Sequence, residues 1–154
     1  MKIIKIILSL LVTTSLLANA HGDKSKEQGL FKGADTPAAK VVVEFHLALK
    51  TGDKKTARSL LADDVTIYEG GRVERSANEY AHHHMLSDMK YLAAVDSKIL
   101  EHQVTVLGDT AISASRTHTV GTYKGKDRDY QGMETMVLEK QSGEWKIKHI
   151  HWSH

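Results

Sequence analysis

From residue 97 to residue 153 the chain alternates apolar and polar residues almost without a break, and three short turns cut the run into four long strands. The turns read "LGDT", "KGKD" and "QSGE", each built on glycine and polar residues suited to tight backbone conformations. The spacing predicts strands over 97–107, 110–123, 127–140 and 144–153. Strands joined by such short turns run antiparallel. One face of the resulting sheet needs cover, and the rest of the chain has to supply it.

That cover is legible as helices. In "TPAAKVVVEFHLALKTGD", Thr36 is placed to cap a helix with Pro37 in its first turn, Val42, Phe45 and Leu49 form an apolar face, and Gly52 ends it. A second short helix is expected over 53–61. "DDVTIYEGGRVE" alternates around a Gly-Gly turn and predicts a strand and hairpin. Ser76 and Glu79 form a capping box that opens a third helix, expected to run to about Val95. The order α-α-β-β-α-β-β-β-β predicts one α+β domain, an antiparallel sheet with helices packed on one face.

Residues 1–20, "MKIIKIILSLLVTTSLLANA", read as a secretory signal peptide: Lys2 and Lys5 lead, an apolar stretch follows, and "ANA" offers small residues for cleavage after Ala20. Residues 21–35 are polar and aperiodic and read as a flexible leader to a domain over 36–154. Export implies a periplasmic or secreted protein. Removing Lys2 and Lys5 brings the basic residues level with the 19 acidic ones, so no nucleic-acid surface is expected. No later segment is apolar enough to span a bilayer, so no membrane partner is expected after cleavage. Cysteine is absent, which excludes disulfides and thiolate chemistry.

The helical hairpin followed by "LLADDVTIYEGG", the third helix and the ending "GEWKIKHIHWS" together resemble the nuclear transport factor 2-like superfamily in its SnoaL-like branch. The resemblance covers about 37–153. It implies a cystatin-like cone: a strongly curved sheet wrapped around three helices, leaving a pocket. It also implies that a homodimer is common. It does not fix function, because the superfamily holds dehydratases, isomerases, ligand binders and dimerisation modules.

Histidine is the chemical feature of the chain, with ten copies. Three stand together in "EYAHHHMLSDM". Successive helical residues diverge by about 100°, so the three cannot share a target. His84 and Asp88 fall in the stripe that holds Tyr80, Ala81 and Met85, four residues apart on one face, while His82 and His83 read as solvated. On the last strand the period of two groups Trp145, Ile147, His149 and His151 on the face expected to point inward, and sends Trp152 outward. If Gln141 pairs with Glu144, counting back sets Leu138 opposite Ile147 and Glu134 opposite His151. His102 shares a face with Val104 and Val106, and neither its register nor that of His118 is fixed.

A pocket lined by Tyr80, His84, Asp88, Glu134, Trp145, His149 and His151 is therefore expected. His84, Asp88, His149 and His151 would suit a divalent transition metal such as zinc or copper. The same pocket would also suit a small polar ligand. Alternatively, His84, Asp88 and His151 would serve proton transfer in a cofactor-free lyase or isomerase. A non-catalytic dimerisation module is the third reading.

Overall fold

In the computed structural model, which describes residues 29–154, a short strand β1 (Phe31–Lys32) precedes helix α1 (Pro37–Thr51). The Thr36 side chain accepts the Ala39 N–H, Pro37 occupies the first turn, and Gly52 closes the helix in the left-handed region at φ 76°. Helix α2 (Lys54–Ser59) follows, capped by Asp53. Strands β2 (Leu61–Glu69) and β3 (Arg72–Glu74) form the hairpin around Gly70 and Gly71.

The sequence predicts one helix after Ser76, but the structure contains two. Helix α3 (Ala77–His82) and helix α4 (Met85–Ala94) are separated by a turn at His83–His84. Histidine is a weak helix former, and here three follow one another. The Ser87 hydroxyl donates to the His84 carbonyl at 2.7 Å, and the Ser87 N–H bonds the same oxygen at 2.8 Å, which tightens the turn.

Four long strands complete the chain: β4 (Val95–Leu107), β5 (Thr110–Tyr123), β6 (Lys126–Gln141) and β7 (Glu144–Ser153). The seven strands form one sheet in the order β1-β4-β5-β6-β7-β2-β3. The β4 to β7 meander is antiparallel; β1 joins β4, and β2 joins β7, in parallel. The helices lie on the concave side. Val42, Phe45 and Leu49 of α1, Tyr80 of α3 and Met85 of α4 pack with Ile67, Met136, Leu138, Ile147 and Ile150 of the sheet.

Residues 1–28, with the expected signal peptide and most of the expected leader, lie outside the described residues. Within the leader, Phe31 and Lys32 pair with His102 and Gln103, so this piece belongs to the sheet. Among the described residues no helix is long and apolar enough to cross a membrane.

One irregularity decides which side chains reach the interior. Gln141 pairs with Glu144 and Leu138 with Ile147, but Val137 then pairs with His149. Lys148 is left as an extra residue, a β-bulge. Past it the parity of β7 is reversed, so Ile150 and Trp152 point inward and His149 and His151 outward.

Candidate functional site

Under α1 and α4 the concave face of the sheet is built from small side chains. Ser115, Thr117 and Thr119 on β5 and Gly132 on β6 leave space that the helices do not fill. The result is a cavity of about 650 Å³. Val42, Leu47, Leu92, Val95 and Ile99 make much of its wall apolar.

The polar floor of this cavity is centred on Glu134, which is 7% exposed. Its register neighbours are Ser115 on β5 and Trp152 on β7. The Trp152 indole N–H donates to Oε2 at 2.7 Å, and the Ser115 hydroxyl donates to Oε1 at 3.4 Å. From α1 the His46 Nε2 reaches Oε2 at 2.8 Å. Burial opposes charge on His46, but the carboxylate's charge and hydrogen bond outweigh it and raise the imidazole above its ordinary value. Burial alone would raise Glu134; the His46 cation, its hydrogen bond and the Trp152 N–H reverse this and hold the carboxyl below its ordinary range. His102, next in the row, bonds Ser113 at 3.0 Å, and burial together with the His46 charge holds it low. A buried carboxylate, an imidazole shifted toward its charged form and open to the cavity, and an imidazole shifted toward its neutral form thus share one wall.

The expected site residues separate into three places. Glu134 is on the cavity floor, opposite Trp152 rather than His151. Asp88 lines the same cavity, its carboxylate accepting the Tyr80 hydroxyl at 2.8 Å. Burial pushes the pKa of both Asp88 and Tyr80 up. Tyr80 is otherwise core. His84 is not on the α4 face with Asp88. It stands in the turn before α4, where Nδ1 bonds Glu74 of β3 and Nε2 lies 3.4 Å from Arg72.

His149 and His151 are on the opposite side of the sheet. His149 shares a hydrogen bond with Thr66 at 2.8 Å and packs near Tyr68, and His151 is exposed. Trp145 packs against the core without lining the cavity. The expected metal set of His84, Asp88, His149 and His151 therefore does not converge, and neither does the proton-transfer set of His84, Asp88 and His151. Among the described residues no three His, Asp or Glu side chains gather as a metal site requires. The bulge at Lys148 explains the strand half of this correction, and the turn at His83–His84 explains the helical half.

Two cavity residues were not singled out from sequence. His46 had a signal: with Val42, Phe45 and Leu49 it completes an i, i+3, i+4, i+7 stripe, the spacing of a buried face. Trp152 had none, because a single-residue bulge leaves no mark in an alternating strand.

Comparison with known proteins follows this geometry. A Shewanella frigidimarina protein whose crystal structure bears the description "putative ketosteroid isomerase" is 54% identical, with a TM-score of 0.78, over 80% of this chain and 99% of that one. A Xanthomonas campestris structure, "putative calcium/calmodulin dependent protein kinase II association domain", is 26% identical, with a TM-score of 0.64, over 80% and 91%. An NTF2-like protein with a cystatin-like fold from Novosphingobium aromaticivorans shares the fold at 12% identity, with a TM-score of 0.61, over 84% and 82%. The cystatin-like cone fold that the resemblance implied is thereby shown. No curated protein matches. The family model for the calcium/calmodulin dependent protein kinase II association domain matches residues 36–154, and the chain belongs to that family.

Proposed function

We propose that this protein binds a small organic molecule, largely apolar with a hydrogen-bonding group, in the cavity above Glu134. The observation that carries this is the Glu134–His46 ion pair in the wall of a cavity of about 650 Å³. Cavities of this size commonly hold small molecules through an apolar lining and a few placed polar groups. While charged, His46 donates through Nε2 to Glu134 and keeps Nδ1–H for a ligand acceptor. On this reading the pocket works outside the cytoplasm, where the signal-like segment 1–20 would send it.

The test uses N-phenyl-1-naphthylamine, a neutral apolar fluorophore. It should bind saturably at one site, and Thr117→Phe, which fills the floor, should remove that binding while the fold persists by circular dichroism. Absence of saturable binding, or equal binding by Thr117→Phe, defeats the reading.

A second reading, self-association, is favoured by the outer face of the sheet. There Ile112, Val137, His149 and Thr66 form one row across four strands, and Ala114, Thr135, His151 and Tyr68 form the next. Ile112 and Tyr68 are each 42% exposed. A homodimer closed through this face should dissociate in Ile112→Lys, as read by light scattering after size exclusion. A wild-type chain that is monomeric at about 100 µM, weaker than a functional affinity would require, sinks it.

A further inference from the structure

We propose that the ligand of this cavity carries a cationic amine, held at the Asp88 end between Asp88 and Glu69. The inference rests on the small-molecule reading above and names the ligand class.

Asp88 and Glu69 both line the cavity, on α4 and at the end of β2. Among the described residues neither is part of an ion pair. Asp88 Oδ2 accepts the Tyr80 hydroxyl, and among the described residues Oδ1 has only the Ser87 hydroxyl at 3.4 Å. Partial desolvation at the cavity rim raises Glu69, the charge of Asp88 raises it further, and His84 opposes both. Glu69 also walls a second, smaller void of about 30 Å³ with Glu74, Tyr80, Arg72 and His84. Glu74 is 5% exposed, and its Oε2 is buried without a partner among the described residues.

This end of the cavity therefore holds acceptors in excess of donors. Beside it the Arg72 guanidinium meets the His84 ring, and His84 in turn meets Glu74; among the described residues neither is hydrogen-bonded to Asp88 or Glu69. A primary ammonium has three N–H donors on one charged centre. Two of them match the carboxylates of Asp88 and Glu69. The charge also relieves the repulsion between the two carboxylates. The basic groups that line the cavity belong to other elements. Lys50 is paired with Asp96 at 3.4 Å, and Lys124 lies over the Tyr123 ring. Arg128 has a buried Nε without a partner and favours the opposite ligand charge, so the probes must cover both signs.

The test is displacement of N-phenyl-1-naphthylamine from the chain at pH 7 by hexylamine, hexan-1-ol and hexanoate, which share one apolar body. Hexylamine should displace at a concentration at least tenfold below that of hexan-1-ol. Asp88→Asn with Glu69→Gln should bring it to the level of the alcohol. Should the double variant fail to fold, Glu69→Gln alone, at an exposed position, should cut the preference at least threefold. Equal displacement by the alcohol or the carboxylate, or a preference that survives the substitutions, overturns the amine inference and leaves the pocket standing. If the fluorophore itself does not bind, the pocket reading falls and the amine inference falls with it.

Discussion

The His46 imidazole meets the Glu134 carboxylate at 2.8 Å, one from a helix and the other from the middle of the facing sheet. The pair ties the two layers together at the point where they stop packing and enclose a cavity. Its polarity is fixed by three elements, because the indole of Trp152 holds the same carboxylate oxygen.

Glu134→Gln keeps the shape and removes the charge. It should lower unfolding free energy by about 2 kcal/mol, the scale of a hydrogen bond to a charged group. It should also return the His46 pKa toward or below 6.5. Urea denaturation and NMR titration of the His46 ring read the two effects.

The pair should stabilise the fold within a defined pH window. His46 is raised in the folded state, so its contribution is complete below about 6.5 and fades as pH rises through the raised value. Glu134 is lowered, so its contribution is complete above about 4.5 and fades as pH falls through its depressed value. The melting-temperature gap between wild type and His46→Gln should be widest between about pH 4.5 and 6.5 and narrow on both sides. A gap independent of pH would show that the pair is not ionic.

The three adjacent histidines should differ in cost. His84→Ala strands Glu74, which is already short of a partner, and should cost about 2–4 kcal/mol. His82→Ala and His83→Ala, at exposed positions, should each stay within about 0.5 kcal/mol. Chemical denaturation of the three variants decides the order.

Deletion of Lys148 removes the bulge without shifting the rest of the register, because His149 then follows Ile147 and still meets Val137. Simple alternation keeps Ile150 and Trp152 inward, and the Trp152–Glu134 bond survives. The surface contact between Lys148 and Asp64 is lost, which should cost no more than about 1 kcal/mol. Tryptophan emission at the wild-type wavelength, with a denaturation midpoint close to that of wild type, is the expected record; a red shift would show that Trp152 turns out.

The strand meander was legible because alternation and glycine turns are local signals, and the expected strand bounds lie within two residues of those observed. The register was legible as far as Leu138 and Ile147. Beyond them one extra residue reverses a face, and that depends on how β2 and β6 flank β7, not on the composition of β7. The break at His83–His84 likewise depends on Glu74 holding His84 from another strand. His46 shows the opposite case, a polar residue inside a readable apolar stripe whose partner lies far along the chain.

Strand β1 covers two residues of the outer edge of β4, and it lies before residue 36, where the family match begins. Gly33, at φ 65°, lets the chain turn away there, with the Val104 carbonyl 2.2 Å from where a side chain would start. A chain trimmed to the family boundary would lose this cover and open the outer edge of β4 at His102 and Gln103, whose other edge stays paired with β5. Bare strand edges recruit other strands. The segment ahead of the domain is thus a guard against edge-to-edge aggregation.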